Sequence, residues 1–409
     1  MNVSYSCVSC GRPLSAEGVV YECPHCAAEP EALDRYPRGY LTVVFAPRQK
    51  VRRGAIVEPQ SMLPLPLRRW RAFPAGATPL VEPGRLRAQA GFPRLYLKND
   101  TLCMSGSLKD RASALVAEQA LAAGENRVAL ASTGNAGASM ACVGAAYGLS
   151  VVLFVPAAAP RAKLLQALLY GARVVPVEGT YDDAYALSIA YTRARGGVNR
   201  NTAFNPFTVE GKKTVSLEIY NQLDCKAPDV MYVPTGDGVI FSGACKGFAD
   251  LMEAGCTDGL PVMVAVQAEG SNAISRSWRE GREVVLTGTS TIADSLSVSR
   301  PAAGLMALHY LSRVKGRCVE VTDAEISAAQ ATLAREAGLF VEPSSAAAWA
   351  GFQKDWHNVD PASRVVILLT GTGFKDTAAA EKLVRMPSPC RADLDSALSM
   401  LADTYGMKS

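Results

Sequence analysis

Lys109 has the residue type and the surroundings for covalent chemistry. It lies in the segment Ser105-Gly106-Ser107-Leu108-Lys109-Asp110-Arg111, whose small residues form a turn that lets a flat molecule approach the backbone. An amine held in an apolar site has a lowered pKa and becomes a nucleophile toward carbonyl groups. The alternative is a surface lysine that pairs with Asp110 or Glu118.

A second polar cluster follows a strand predicted at 128–131 and precedes an uncharged helix. It consists of Ser132, Thr133, Gly134 and Asn135. Hydroxyls and backbone N–H groups at a helix N-terminus form a nest for a carboxylate, and the amide of Asn135 can donate a hydrogen bond to a phenolate oxygen. An ordinary helix N-cap is the alternative.

A glycine loop separates a strand predicted at 229–233 from another helix. Its residues are Gly236, Asp237, Gly238, Val239 and Ile240. Backbone N–H groups of such a loop bind phosphate at a helix start. A dinucleotide-binding G-x-G-x-x-G pattern would need glycine at position 241, where Phe241 stands, so we discount that reading. We expect the Asp237 side chain to point away from the phosphate.

A predicted strand at 364–369 ends in Thr370 followed by glycines. The carboxyl end of a parallel strand is where α/β enzymes bind ligands, and the Thr370 hydroxyl can bind a pyridine nitrogen there. Unlike a carboxylate, a hydroxyl does not hold that nitrogen protonated, which favours chemistry at Cβ. A plain strand-end turn is the alternative.

These four motifs together fit one cofactor. Pyridoxal 5′-phosphate (PLP) has an aldehyde that forms a Schiff base with a lysine, a phosphate, a ring oxygen and a pyridine nitrogen. The three histidines of the chain, His25, His309 and His357, offer no histidine-based catalytic centre. We therefore expect the lysine to do the acid and base work.

The N-terminal region contains two Cys-x-x-Cys pairs with twelve residues between them, Cys7 and Cys10, then Cys23 and Cys26. This spacing predicts a closed structural zinc site of four thiolates, which leaves no position for a substrate. Four unliganded cysteines are the alternative. Because eleven cysteines occur without a secretion signal, we expect a reducing, cytoplasmic location.

Composition excludes several classes of partner. A net charge of +4 over 409 residues does not indicate binding to nucleic acid or to an anionic membrane. The uncharged stretch 128–160 is interrupted by polar residues and glycines, so it is a poor membrane span. We expect a small-molecule substrate.

Strands and helices alternate along most of the chain, which predicts a mostly parallel sheet covered on both faces. Further strands are predicted at 95–98, 151–155, 173–177 and 262–266, and helices at 109–123, 136–148, 160–170, 181–195, 240–254 and 323–336. We divide the chain into a zinc ribbon (1–45), an arm with the start of the large domain (46–104), a small domain (105–200), a large domain (201–387) and a tail with a final helix (388–409).

In this order, the motifs resemble the fold-type II PLP enzymes of the tryptophan synthase β superfamily, and most closely the threonine synthase-like family. Supporting stretches are 77–80 (ATPL), 205–214 (NPFTVEGKKT), 292–295 (IADS), 342–346 (EPSSA) and 369–376 (LTGTGFKD). An N-terminal zinc ribbon is also seen in one branch of that family. The resemblance implies two α/β domains and a homodimer.

The resemblance also implies roles for individual residues. Lys109 would bind PLP and act as acid and base, Asn135 would contact the ring oxygen, and Thr370 the pyridine nitrogen. Residues 132–135 would hold the substrate carboxylate, and residues 236–240 the cofactor phosphate. Asp110 and Arg111 would form a structural ion pair near the site.

The implied reaction is the conversion of O-phosphohomoserine to threonine and phosphate. Threonine synthases usually carry an arginine for the substrate phosphate where this chain has Thr208, and often a threonine where it has Ala136. The alternatives are a β-replacement enzyme of the cysteate synthase type and an ammonia-lyase similar to serine or threonine dehydratases. A non-catalytic binding protein with this fold is the alternative from a different class.

Overall fold

The computed structural model describes residues 2–28, 32–44 and 52–407. The strands are β1 Asn2–Cys7, β2 Pro13–Glu17, β3 Leu41–Val43, β4 Leu80–Val81, β5 Leu95–Asn99, β6 Arg127–Ala131, β7 Ser150–Pro156, β8 Arg173–Val177, β9 Val198–Asn199, β10 Val230–Pro234, β11 Val262–Ala268, β12 Arg317–Val321 and β13 Val365–Leu369.

The helices are α1 Gly84–Ala90, α2 Lys109–Ala122, α3 Asn135–Tyr147, α4 Arg161–Leu169, α5 Tyr181–Arg195, α6 Phe207–Gln222, α7 Val239–Glu253, α8 Ala273–Glu280, α9 Gly304–Arg313, α10 Asp323–Ala337, α11 Pro343–Asp355, α12 Thr377–Glu381 and α13 Leu394–Tyr405. Every helix that the sequence predicted is confirmed to within about two residues, the margin by which helix ends are usually uncertain. None of the described helices combines the length and the hydropathy that a membrane crossing requires.

Two mostly parallel sheets carry the fold. A six-stranded sheet has the order β12-β11-β10-β13-β5-β4, and only β4 pairs antiparallel. A four-stranded sheet has the order β8-β7-β6-β9 and is parallel throughout. All five residues of β10 and of β13 are buried, as expected when helices cover both faces of a sheet. The predicted α/β fold class is confirmed.

The N-terminal region forms a small antiparallel sheet of its own, in the order β2-β1-β3. The predicted boundary between ribbon and arm, at residues 45 and 46, lies outside the described residues, as does the arm up to residue 51. The described part of the arm packs Leu63, Leu67 and Phe73 into the protein interior. The domain boundaries remain predictions.

Candidate active site

Lys109 opens α2 beside the end of β13. The backbone N–H of Leu108 donates to the carbonyl of Thr370 at 2.9 Å, and that of Thr372 donates to the carbonyl of Gly106 at 3.0 Å. These bonds fix the lysine turn to the strand end that carries the predicted ring-nitrogen ligand. Burial lowers the pKa of the Lys109 amine, while the charges of Asp237 and Glu342 oppose that shift.

Asn135 and Glu342 face each other across the same site. The Asn135 amide nitrogen Nδ2 donates to both carboxylate oxygens of Glu342, at 2.9 and 3.1 Å. Burial raises the pKa of Glu342, and the hydrogen bond from Asn135 and the charge of Lys109 oppose this. Sequence reasoning assigned no role to Glu342. The available signal was that it is the single charged residue between positions 339 and 353.

Ser132 occupies part of the predicted carboxylate nest. Its Oγ accepts hydrogen bonds from the backbone N–H groups of Gly134, at 3.3 Å, and Gly137, at 3.1 Å, so it caps the start of α3. A Cβ at position 137 would lie 2.7 Å from the Ser132 carbonyl oxygen, which explains the glycine there. Gly134 and Asn135 line the open cleft, where a bound carboxylate would meet the helix start.

The glycine loop connects β10 to α7 by a tight turn. Gly238 has a φ of +89°, and a Cβ there would lie 2.9 Å from the Ala303 carbonyl oxygen. A Cβ at Gly236 would lie 2.8 Å from the Ser295 carbonyl oxygen. The loop therefore packs directly against the 295–303 segment, and only glycine fits at both positions.

The Asp237 side chain lies at the start of α7. Its Oδ1 accepts a hydrogen bond from the Val239 N–H at 3.0 Å, so the carboxylate turns onto the first turn of α7. The exposed N–H groups and the dipole of a helix start attract a carboxylate, which accounts for this contact.

The predicted ion pair between Asp110 and Arg111 is also wrong. The Asp110 carboxylate accepts a hydrogen bond from the Ser105 N–H at 2.7 Å, which closes the lysine turn. The Arg111 guanidinium instead pairs with Asp100, at 2.7 Å, and with Glu218, at 2.8 Å. Adjacent residues on a helix point in different directions, so sequence adjacency was a poor guide here.

An open cleft lined by Gly134, Asn135 and Glu342 leads to this site from solvent. Both sheets contribute to its walls: Gln166 Nε2 donates to the Ser105 carbonyl at 3.0 Å, and Lys163 pairs with Asp294 at 2.9 Å. Asn135 and Glu342 line this cleft, Lys109 lies close enough to act on the charge of Glu342, and the lysine turn is bonded to Thr370 at the end of β13. This set of groups fits PLP.

The four predicted zinc ligands lie together in the N-terminal sheet region. Their sulfur atoms are all within 4.8 Å of one another, with 3.8 Å between Cys7 and Cys26 and 3.9 Å between Cys10 and Cys23. Zinc–sulfur bonds of about 2.3 Å in a tetrahedron place sulfur atoms about 3.8 Å apart. The thiol arrangement therefore fits a tetrahedral metal ion.

Fold and site together define a two-domain enzyme of the fold-type II PLP class. Residues 72–371 match the family described as "Pyridoxal-phosphate dependent enzyme". The chain belongs to this family and is a PLP-dependent lyase of the threonine synthase-like kind.

Similarity to individual proteins extends over most of the chain. This chain is 33% identical to a threonine synthase of Methanosarcina acetivorans, over 95% of this chain and 96% of that protein. This chain is also 34% identical to a threonine synthase of Mycobacterium leprae, over 80% of this chain and 89% of that protein.

Solved structures share the fold at lower identity. A fungal L-serine ammonia-lyase from Rhizomucor miehei superposes with a TM-score of 0.66 at 23% identity, covering 75% of this chain and 97% of its own. Threonine deaminase isoform 2 from Solanum lycopersicum superposes with a TM-score of 0.66 at 21% identity, covering 82% of this chain and 98% of its own.

Proposed function

We propose that this protein removes a substituent from Cβ or Cγ of an α-amino acid, with O-phosphohomoserine as the first candidate substrate and threonine and phosphate as products. The observation that carries the proposal is Lys109, an amine whose pKa burial lowers and whose turn is bonded to the end of β13. PLP, when bound, supplies an electrophilic carbon and an electron-accepting ring.

The cofactor-binding roles that we propose are those that the family resemblance implies. Lys109 holds the cofactor and then moves protons at the substrate carbons. The amide of Asn135 donates to the ring oxygen, and the hydroxyl of Thr370 binds the ring nitrogen. The backbone N–H groups of residues 236–240 bind the phosphate at the start of α7. The start of α3, residues 132–135, holds the substrate carboxylate.

One position leaves other reactions open: threonine synthases usually carry an arginine there, which binds the substrate phosphate. Thr208 stands there, and its hydroxyl donates to the Asn205 carbonyl at 2.8 Å inside the protein. This hydroxyl is committed to the start of α6. A β-replacement enzyme of the cysteate synthase type and a serine or threonine ammonia-lyase therefore remain the competing reactions.

An assay of the purified holoenzyme with O-phosphohomoserine tests the proposal. We expect equal amounts of released phosphate and threonine, and neither product with Lys109→Ala. Parallel reactions with serine or threonine, read as 2-oxo acid, and with O-phosphoserine plus sulfite, test the two competing reactions. Loaded enzyme that is inactive on O-phosphohomoserine would reject the threonine synthase assignment.

We further propose that the four cysteines bind one structural zinc ion and that the protein is a cytoplasmic homodimer, as the family resemblance implies. The sulfur–sulfur distances support the zinc proposal. Metal analysis, light scattering during gel filtration and cell fractionation are the respective tests. Less than one zinc per chain in fresh protein would contradict the zinc site. A monomeric mass would contradict the homodimer, and recovery outside the cytoplasm would contradict the location.

A further inference from the structure

Arg200 is fully buried, and the ends of its side chain lack hydrogen-bond partners. It follows β9, and its backbone N–H donates to the Ala129 carbonyl at 2.8 Å. Its Nε donates to Ser113 Oγ at 3.2 Å, whereas Nη1 and Nη2 have no acceptor within the described parts of the chain. Burying a guanidinium with unmet donors is costly, so this arrangement points to an acidic ligand.

Lys212 is a second buried cation beside it. Only 1% of its surface is exposed, and its Nζ donates to Thr202 Oγ1 at 3.2 Å. Its Cβ lies 2.8 Å from the point that a Cβ on Gly243 would occupy, which places it against the beginning of α7. Burial lowers the pKa of Lys212, and the charges of Lys109 and Arg200 lower it further.

The next residue on α6 provides a contrast. Lys213 is equally buried but pairs with Asp250 at 2.7 Å and with Glu210 at 2.6 Å. Within the described residues, Lys212 has no carboxylate at ion-pair distance. The fold thus neutralises one buried lysine and provides no carboxylate for its neighbour among the described residues.

Three basic side chains lie near Asp237. The charge of Asp237 opposes the lowering of the pKa of Lys109, Arg200 and Lys212; Glu342 also opposes it at Lys109, and Asp110 at Arg200. Asp237 Oδ1 is itself bound to the Val239 N–H. Like charges repel strongly in a medium of low dielectric constant unless an anion lies among them. A bound anion would satisfy the unmet donors of Arg200 and would pair with Lys212, which has no carboxylate partner among the described residues.

We propose that Arg200 and Lys212 form an oxyanion subsite beside Lys109, which binds the distal acidic group of the amino-acid substrate. This deepens the proposed function and rests on it. The ligand class is a phosphate, phosphonate, sulfonate or carboxylate group, for which guanidinium and ammonium donors are well suited. In this chain, Arg200 and Lys212 would bind the substrate's acidic group in place of the arginine that threonine synthases usually carry at position 208. The phosphate of the cofactor has the same chemistry, so the test separates these two sources.

The first measurement uses the wild-type holoenzyme. The probes are 2-amino-5-phosphonopentanoate and norvaline. The carbon–phosphorus bond of the phosphonate does not break, so the acidic group is not released. Norvaline lacks the acidic group. Dissociation constants are read from the change in cofactor absorbance. We expect the phosphonate to bind at least about tenfold more tightly, the value of one charged hydrogen bond. Equal affinities would overturn the proposal before any variant is made.

The second measurement uses Arg200→Gln and Lys212→Gln, with exposed Lys226→Gln as a control that removes the same charge. Each subsite variant should weaken phosphonate binding about 10- to 100-fold and leave norvaline within about twofold. Lys226→Gln should change neither affinity.

The third measurement compares PLP with pyridoxal on apoprotein. Arg200→Gln and Lys212→Gln should leave the ratio of the affinities for PLP and for pyridoxal unchanged. If that ratio collapses while the phosphonate preference stays, the subsite belongs to the cofactor phosphate and the substrate assignment is overturned. If neither ratio moves in folded variants, there is no subsite. These binding measurements need no turnover, so a failed threonine synthase assay and a failed subsite give different results.

Discussion

At the scale of single residues, the site contains an amine and a carboxyl group that burial drives in opposite directions. Burial lowers the pKa of Lys109 and raises that of Glu342, and each opposes the shift of the other through its charge. Glu342 also holds the Asn135 amide. We infer that Glu342 positions Asn135 and tunes the charge of Lys109.

Replacing Glu342 by glutamine should make Lys109 lose its proton more readily. The negative charge favours the protonated amine, so its removal lowers the pKa of Lys109. Because the neutral amine reacts with the cofactor aldehyde, the midpoint of the pH dependence of PLP capture by apoprotein should move about one unit toward lower pH. Glu269→Gln, which makes the same change at an exposed glutamate outside the cleft, should leave the midpoint in place. A midpoint that stays or rises in Glu342→Gln would contradict this role.

Linear motifs predicted some of these residues and missed others. Lys109, Asn135 and Thr370 occur in local patterns of hydroxyls and glycines next to strands, which can be recognised without a structure. Lys212 and Glu342 lie in stretches that support the family resemblance, and Arg200 lies in none, but no local pattern assigned a role to any of the three. Their meaning depends on burial and on partners distant in sequence, such as the 207 positions between Asn135 and Glu342.

At the scale of secondary-structure elements, a buried ion cluster joins α2, β5 and α6. Lys98 pairs with Glu218 at 2.7 Å, and Arg111 bridges Glu218 and Asp100. Burial raises the pKa of Glu218, but the charges and hydrogen bonds of Arg111 and Lys98 outweigh it and lower that pKa to about 2. The cluster lies directly behind the helix that begins with Lys109.

Glu218→Gln should reduce stability in a pH-dependent manner. The folded pKa of Glu218 is below the unfolded value, so its contribution is present above about pH 4.5 and is lost as the pH falls toward 2. Since the substitution leaves buried cations without their partner, the free energy of unfolding at pH 7 should fall by about 3 to 5 kcal/mol. Denaturant titrations at pH 7, 4 and 3 measure both effects.

The matched control is Glu253→Gln, which breaks a half-exposed pair with Arg313. Surface pairs contribute less than about 1 kcal/mol, so this variant should remain close to wild type. The interpretation of the cluster would be wrong if Glu218→Gln were equally mild at pH 7 or kept the full wild-type sensitivity to acid.

Sequence patterns failed to predict several elements, for different physical reasons. Helices α6 and α11 are buried on nearly every face, so they show no alternation of apolar and polar residues with helical period. Strand β12 lies at the edge of its sheet and carries Arg317 and Glu320, which obscures its strand character. Helices α8 and α9, which have one buried face, were missed as well, whereas α10, with a capping box at Thr322, was predicted.

At the scale of the whole molecule, the N-terminal region contacts both α/β parts. The Tyr21 hydroxyl accepts from the Asn199 N–H at 2.7 Å, and its ring stacks on Phe204 at 4.6 Å, so it supports the segment that contains Arg200. On the other side, the Tyr36 hydroxyl contacts Ser277 Oγ at 2.6 Å. Order in the cysteine cluster is therefore linked to order around the site.

Loss of metal should consequently destabilise more than the ribbon. Removing zinc with a chelator, or replacing Cys23 by serine, should lower the Tm by about 5 °C or more, because metal binding contributes folding free energy. Phosphonate affinity should weaken as well, since Tyr21 supports the Arg200 segment. Cys390→Ser, at an exposed cysteine far from the cluster in sequence, is the control. Unchanged Tm after complete zinc removal would exclude a structural metal.

The most direct test of the central claim is reduction of the PLP-loaded protein with borohydride, followed by digestion and mass mapping. The reduction makes the bond between cofactor and lysine permanent. The account predicts a pyridoxyl group on the peptide that contains Lys109 and no such label in Lys109→Ala. A label on another lysine, such as Lys212, or an unlabelled Lys109 peptide from fully loaded protein, would contradict it.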